Sequence, residues 1–172
     1  VGLTVSGQDK GYWGGTNDVG ITEIMERFYI TGNESLDGVA LGIGKLVQST
    51  SASDNEITIK VYNGNQMPKA LIYSKLVNIK DFAKDAMNYI EFDETVEPQD
   101  TFFVGFELTN INAQDTFAVY QSLSSETDLS NNFYYKQNST WYNFKDTNPL
   151  AYTMVNVMEL IACNIDNITD TP

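Results

Sequence analysis

The stretch Glu56-Ile-Thr-Ile-Lys-Val-Tyr-Asn63 decides the fold of this chain. Its apolar residues stand at every second position, at Ile57, Ile59 and Val61. The intervening residues form the opposite face of the segment: Thr58, Lys60 and Tyr62. This period of two predicts a half-buried β-strand with a solvated second face. Asn63-Gly-Asn65 then ends the strand, because Gly64 tolerates a positive φ in a turn.

The same alternation recurs along most of the chain. It is clearest at Val39–Ile43, Phe102–Leu108 and Phe117–Val119, and the glycine-rich face of the first of these indicates that another layer lies close above it. Further strands are predicted at Ala70–Ile79, Tyr89–Phe92, Asn132–Gln137, Thr140–Phe144 and Tyr152–Ala162. About nine or ten short strands separated by Gly, Asn, Asp and Ser predict an all-β, antiparallel β-sandwich.

Two segments fit that pattern less well. The apolar residues of Ile21–Ile30 suit a helix and a strand equally, so periodicity alone leaves the choice open. Asp81–Met87 is predicted to form one helical turn across an end of the sandwich.

The length and composition are those of one domain that folds without disulfide staples. The chain has 172 residues, of which 42% are hydrophobic, with nine Phe and ten Tyr. A domain of this size buries roughly two-thirds of its unfolded surface. The single cysteine, Cys163, excludes an intrachain disulfide and is expected to be buried. We expect the sandwich to occupy residues 1–163 and a polar linker to occupy 164–172, as in a piece of a longer protein.

Charge and the absence of histidine exclude several classes of function. The formal charge is −13, from 23 acidic and 10 basic residues, which disfavours nucleic acid and anionic membrane surfaces as partners. No apolar run is long enough to insert into a bilayer. Without any histidine the chain cannot build a Ser–His–Asp or Cys–His site, and one cysteine cannot supply a zinc centre.

Oxygen ligands remain available for a structural calcium ion. The loop Gly14-Gly-Thr-Asn-Asp18 offers an amide and a carboxylate, at Asn17 and Asp18, and Asp115 stands before a strand. Calcium prefers carboxylate, amide and backbone oxygens, so these three residues form the candidate metal site. The alternative is an ordinary Asx turn at Asn17.

Two aromatic pairs are the candidates for ligand binding: Tyr12 with Trp13, and Trp141 with Tyr142. An aromatic ring stacks on the apolar face of a sugar, while neighbouring polar groups bind its hydroxyls. Because successive residues of a strand point to opposite faces, one member of each pair can pack in the core while the other stays exposed.

Several stretches carry a family resemblance that covers nearly the whole chain. They are Gly11-Tyr-Trp-Gly-Gly-Thr-Asn-Asp18, Glu26-Arg-Phe28, Asp37-Gly-Val-Ala-Leu-Gly-Ile-Gly44, Ile57-Thr-Ile-Lys-Val-Tyr62, Met67-Pro-Lys-Ala-Leu71, Val96, Phe102-Phe-Val-Gly-Phe-Glu-Leu108, Asp115-Thr-Phe-Ala-Val119 and Trp141-Tyr-Asn-Phe144. In this order they resemble an accessory β-sandwich domain of secreted multidomain proteins of Bacteroidetes.

The resemblance implies a jelly-roll-like sandwich, a strand at Ile21–Ile30, and export to the cell surface or medium. Such export commonly uses a separate C-terminal sorting domain. The chain departs from the expected pattern at Thr16, where a histidine would precede Asn17.

We therefore expect a non-catalytic accessory domain of an exported protein, serving adhesion or attachment to glycans. Its expected partners are neighbouring domains of the same polypeptide and a glycan or cell-surface protein. One alternative is a structural spacer that supports a neighbouring catalytic domain and has no ligand of its own. A third is a glycosidase with two facing carboxylates, since 23 acidic residues are available.

Overall fold

The computed structural model describes residues 3–5, 10–32, 34–48, 55–124, 132–147, 153–156 and 158–164. Within these ranges the chain forms twelve strands: β1 Ile21–Tyr29, β2 Glu34–Val47, β3 Glu56–Asn63, β4 Ala70–Asn78, β5 Ala86–Val96, β6 Thr101–Glu107, β7 Thr116–Val119, β8 Gln121–Ser124, β9 Phe133–Gln137, β10 Thr140–Asn143, β11 Thr153–Asn156 and β12 Met158–Asn164. The helical segments are a 3₁₀ turn at Ile79–Asp81 and one α-helical turn, α1, at Phe144–Thr147.

The strands form two main antiparallel sheets. A six-stranded sheet has the order β10-β9-β1-β6-β3-β4, and a second sheet has the order β12-β2-β5 with β7 also paired to β2. The chain crosses between these sheets at most of its early connections, as in jelly-roll-like sandwiches. The structure therefore confirms the predicted all-β antiparallel sandwich.

β2 is long enough to hold two strands along one side. β12 pairs with its first part, Glu34–Leu41, and β7 pairs with its last part, Ile43–Val47. β8 follows β7 in the chain and pairs with β11. β12 is the next strand after β11. The predicted strand Tyr152–Ala162 is thus two strands with different partners, and β8 was not predicted.

The core lies between the inner faces of the two sheets. The alternating residues predicted to face inward are all buried, at 2% exposure or less: Ile57, Ile59, Val61, Phe102, Val104, Phe106, Phe117 and Val119. Phe117 packs edge-on against Phe106 of the opposite sheet, with ring centroids 5.3 Å apart. Tyr73 and Phe92 stack at 4.4 Å where the sheet edges meet.

The prediction for Asp81–Met87 was wrong. The 3₁₀ turn comes earlier, because the side chain of Asn78 accepts a hydrogen bond from the N–H of Lys80 and starts the turn there. Asp85 then adopts a positive φ of 58°, and β5 begins directly afterwards at Ala86.

Two glycines show why side-chain size matters in this fold. Gly64 ends β3 as predicted but does not use a positive φ; a Cβ there would lie 2.1 Å from the carbonyl oxygen of Met67. At Gly44 a Cβ would lie 2.8 Å from the ring of Tyr120, which confirms that this face of β2 lies close beneath another segment.

The C-terminal predictions are only partly covered by the described residues. Asn164, predicted to begin the linker, is the last residue of β12, and 165–172 lie outside the description. Cys163 belongs to β12, but its side chain is likewise outside the description. Among the described residues neither helical segment is long and apolar enough to cross a lipid bilayer.

Candidate functional site

A cleft of about 440 Å³ opens at one end of the sandwich, between the Gly11–Asp18 loop and the segment that precedes β7. We call it the end cleft. Its lining includes Tyr12, Asn17, Asp18, Asn112 and Asp115. The fold thus brings together all three predicted metal ligands and one of the four predicted aromatic residues, although Asn17 and Asp115 are far apart in sequence.

The loop on one side of the end cleft is held against β7 by its backbone. The N–H of Tyr12 donates to the carbonyl of Thr16 at 2.9 Å, and the N–H of Thr16 donates to the carbonyl of Phe117 at 2.8 Å. Gly15 lies so close to β7 that a Cβ would be 2.1 Å from that same carbonyl oxygen. Only glycine permits this approach, and it fixes the position of Tyr12.

Asn17 is the residue that shapes the loop. Its amide nitrogen donates to the carbonyls of Gly15 and Ile21, both at 3.1 Å. Its amide oxygen accepts from the N–H groups of Val19 at 3.2 Å and Ile21 at 2.9 Å. The side chain therefore forms an Asx-type turn that directs the chain into β1.

The opposite wall of the end cleft is built around Asp115, which is 4% exposed. The amide of Asn55 donates to the Asp115 carboxylate, and its oxygen accepts from the N–H of Asn112 at 2.9 Å. Asp18, by contrast, is exposed. The cleft thus has one solvent-facing carboxylate and one that is held in place by an amide.

The calcium site stays a prediction. Among the described residues, no three or more His, Cys, Asp or Glu side chains converge into a group that could hold a metal. The oxygen of Asn17 already accepts two backbone hydrogen bonds, so an ion here would depend mainly on Asp18, Asp115 and backbone carbonyls.

The four predicted aromatic residues do not form one binding platform. Trp13 and Tyr142 both pack on Tyr135, with ring centroids 5.7 Å and 5.4 Å away. Trp13 also contacts Phe144 edge-on at 4.9 Å, which ties the N-terminal loop to α1. Tyr12 lines the end cleft, whereas Trp141 lies on the outer face of the six-stranded sheet.

That outer face carries a second polar cluster, which sequence reasoning missed. The outer-face cluster consists of Glu23, Lys60, Tyr62, Glu107 and Lys136. Glu23 is only 3% exposed and accepts from Lys136 at 2.6 Å, from Tyr62 at 2.8 Å and from Lys60 at 3.3 Å. Lys60 also bonds Glu107 at 2.8 Å.

The prediction of a solvated face on β3 was therefore wrong for two of its three residues. Tyr62 is 8% exposed and the Lys60 side chain is 12% exposed. Neighbouring aromatic rings provide the cover. Trp141 meets Tyr62 edge-on at 5.9 Å, and the Lys136 ammonium lies 5.4 Å from the Trp141 ring.

The electrostatics of the outer-face cluster favour ion pairs. Burial, and then the hydrogen bond to Glu23, raise the pKa of Tyr62 to about 12. Burial acts to raise the pKa of Glu107, but hydrogen bonds from Lys60 and Thr109 outweigh it and lower that pKa. A carboxyl with a lowered pKa is a poor general acid, so Glu107 is suited to a stable ion pair with Lys60.

Pairing across strands explains why the outer-face cluster was missed. Glu23 faces Glu107 on β6 and Lys136 on β9, and Thr58 on β3 faces Glu107. The only local sign of the cluster is Glu23, an acidic residue within the mostly apolar segment Ile21–Met25. The sequence does not show which residues pair with it.

Comparison of the chain with protein-family models, with curated proteins and with solved structures found no match.

Proposed function

We propose that the chain is a non-catalytic accessory domain of an exported multidomain protein, and that the end cleft attaches the polypeptide to glycans. The observation that carries the proposal is the set of side chains that line the end cleft. It combines the aromatic ring of Tyr12, the exposed carboxylate of Asp18 and the amide-bearing residue Asn112 with the apolar side chains of Leu108 and Ile111. Sugar recognition needs this mixture of apolar surface and a few placed polar groups.

The rigidity of the cleft walls supports a binding role. Asn17 fixes one wall through four hydrogen bonds, and Asn55 fixes Asp115 on the other. Side chains that are held before the ligand arrives lose little entropy on binding, which favours affinity.

A glycan array probed with the labelled chain tests the proposal, followed by calorimetry with the best glycan. Tyr12→Ala and Asp18→Ala should each weaken binding by about tenfold. Tyr29→Ala is the matched control, because Tyr29 is 57% exposed but is not among the residues that line the end cleft. No binding to any glycan would favour the structural spacer.

The spacer alternative rests on its own observation. Trp13 and Tyr142, two of the four aromatic candidates, are used to pack against Tyr135 rather than to form a surface platform. A spacer would leave the end cleft without a ligand, and Tyr12→Ala would then leave the attachment of the longer protein unchanged.

A calcium ion is the second proposed occupant of the end cleft. The chain carries a charge of −13, and a divalent cation beside Asp18 and Asp115 would offset part of it. Thermal melts of wild type and Asp18→Ala, each with excess calcium and then with a chelator, test this. Calcium should raise the melting temperature of wild type by roughly 5–10 °C when present at about 100 times its Kd. Equal melting temperatures of wild type with calcium and with chelator would leave Asn17 and Asp18 as an ordinary turn.

Within the end cleft, a glycosidase would have to use Asp18 and Asp115, the two carboxylates that line it. We propose no catalytic role for them, because one is exposed and the other already accepts a hydrogen bond from Asn55. Hydrolysis of aryl glycosides by wild type and its loss in both Asp→Asn variants would overturn this.

A further inference from the structure

A second crevice, of about 350 Å³, lies where the edge strand of one sheet faces the edge strand of the other. We call it the edge crevice. Its walls come from the end of β4, the 3₁₀ turn and the first half of β5. Two large apolar side chains line it and remain exposed, Leu76 at 55% and Tyr89 at 71%. They are two of the three most exposed large apolar side chains among the described residues, and such side chains gain stability when they are covered.

Half of the β5 edge is already closed by side chains from β4. The Lys75 ammonium donates to the carbonyl of Glu91 at 2.9 Å, and the N–H of Asp93 donates to the hydroxyl of Tyr73 at 2.9 Å. These bonds show that the odd-numbered residues of β5 direct their backbone groups away from β2 and toward the free edge.

The other half of the β5 edge has no partner strand among the described residues. By the same parity, Met87 and Tyr89 direct their backbone N–H and C=O groups to this free edge, where Tyr89 lines the edge crevice. Among the described residues, neither backbone makes a hydrogen bond outside its pairing with β2. A row of available donors and acceptors beside exposed apolar side chains is the arrangement to which an extended peptide adds as a further strand.

The charge around the edge crevice indicates what kind of peptide fits. Two exposed carboxylates line it, Asp81 and Glu91, and three more lie along β5 and the segment before it, Asp85, Asp93 and Glu94. These five outnumber the three nearby lysines, of which Lys80 lies exposed in the 3₁₀ turn. Lys75 is already bonded to Asp93 at 2.5 Å, and Lys84 lies 3.5 Å from Asp85. A second copy of this chain would bring like charges together at a two-fold contact, whereas a cationic segment would neutralise them.

We propose that the edge crevice docks an extended, lysine-bearing peptide segment, which pairs with β5 beside Met87 and Tyr89. Its apolar side chains cover Leu76 and Tyr89, and its lysines face the carboxylates of β5. This site is separate from the end cleft and does not depend on the proposed glycan attachment.

The probe is a fluorescent hexapeptide of alternating lysine and valine, measured by fluorescence anisotropy against the full chain. Binding should weaken as salt is raised, and replacement of every lysine by glutamate should abolish it. Amide hydrogen exchange should slow at Met87 and Tyr89 when the peptide is bound.

Two N-methylated forms of the peptide separate strand pairing from simple charge attraction. N-methyl groups on alternate residues remove the donors from one edge of the peptide strand only. One form should lose binding and the other should keep it. The proposal is overturned if the two methylated forms behave alike, whether both bind or both fail to bind. It is also overturned if the parent peptide does not bind.

A matched pair of variants locates the site. Tyr89→Ala should weaken peptide binding by about tenfold, while Tyr29→Ala, which removes another exposed tyrosine, should leave it unchanged. Light scattering at the same concentrations should show a monomer. Equal effects of the two variants, or a dimer that the peptide does not disturb, would contradict the proposal.

Discussion

The two faces of the six-stranded sheet are both covered, but by different kinds of interaction. On the inner face, Ile59 is fully buried and belongs to the apolar core between the sheets. On the outer face its neighbour Lys60 is 12% exposed and bonds Glu23 and Glu107. The cover on that face comes from aromatic rings such as Trp141 and Tyr62, which belong to a separate cluster from the core between the sheets.

The two faces therefore contribute differently to the stability of the fold. Inner-face burial is non-directional and scales with apolar area, so its contribution depends on how completely a side chain is enclosed. The outer-face cluster depends on matched charges and on hydrogen-bond geometry, so it responds to pH and to loss of a single partner. We expect the inner face to supply most of the stability and the outer face to fix the register of β9, β1, β6 and β3.

The largest expected effect tests the inner face. Phe106→Ala should lower the free energy of unfolding by about 3–5 kcal/mol, because a fully buried ring in contact with Phe117 is replaced by a cavity. Urea denaturation measures it. Leu76→Ala, at a side chain 55% exposed, should cost less than about 1 kcal/mol. Similar losses for the two variants would show that burial on the inner face does not dominate the stability.

The next largest effect tests the outer-face cluster. Glu23→Gln should lower the free energy of unfolding by about 1–3 kcal/mol, because Lys60 and Lys136 lose their shared carboxylate in a partly enclosed site. The control is Asp93→Asn, which breaks a pair whose carboxylate is 70% exposed and should cost less than about 1 kcal/mol. A double variant with Lys136→Met should cost less than the sum of the single changes.

A pH effect follows from Tyr62. Because its folded-state pKa is raised to about 12 from an ordinary 10.0, the folded protein retains this proton where the unfolded chain has lost it. Its contribution is complete below pH 10 and is lost as the pH rises through 12. Wild type should therefore lose more melting temperature over this window than Tyr62→Phe. Parallel pH profiles for the two proteins would show that the hydroxyl adds nothing.

At acidic pH, Glu107 should give a pH dependence of stability opposite to that of Tyr62. The pKa of Glu107 is lowered in the folded state, so its contribution is present above its ordinary value of 4.5 and is lost as the pH falls through the folded-state pKa. Melting temperatures of Glu107→Gln and wild type should therefore converge in acid. A constant difference between them down to low pH would exclude this linkage.

The smallest effect concerns Trp141. Trp141→Leu should cost about 0.5–1 kcal/mol through loss of the contact between the ring and Lys136. If glycans bind in the end cleft, this variant should bind them as wild type does, since Trp141 is not among the residues that line the cleft. Loss of glycan binding without loss of stability would instead move the proposed site to the outer face.

For the candidate site residues, the local turn could be predicted from the sequence, but their grouping in space could not. The turn chemistry of Asn17 was predictable, since an asparagine in a glycine-rich loop commonly bonds the backbone that follows, and the Asx turn was one of the two predicted alternatives. That Asp115 would lie in the same cleft was not predictable, because β7 reaches the Gly11–Asp18 loop through non-local backbone contacts at Gly15 and Thr16. The separation of Trp13 from Tyr12 depended on the position of Tyr135 on β9.

Local sequence pattern was enough to predict most of the strands and the inner face. A period of two fixes which side chains share a face, and the apolar set Ile57, Ile59 and Val61 has only one favourable place, so the buried core followed from local pattern alone. What covers the opposite face depends on long-range packing, which the local pattern does not contain. The partners of Glu23 come from β3 and β9, and the crevice at Tyr89 exists because β4 and β5 are edges of different sheets. Strand order and register are set by the sum of many non-local contacts, and no short stretch of sequence contains them.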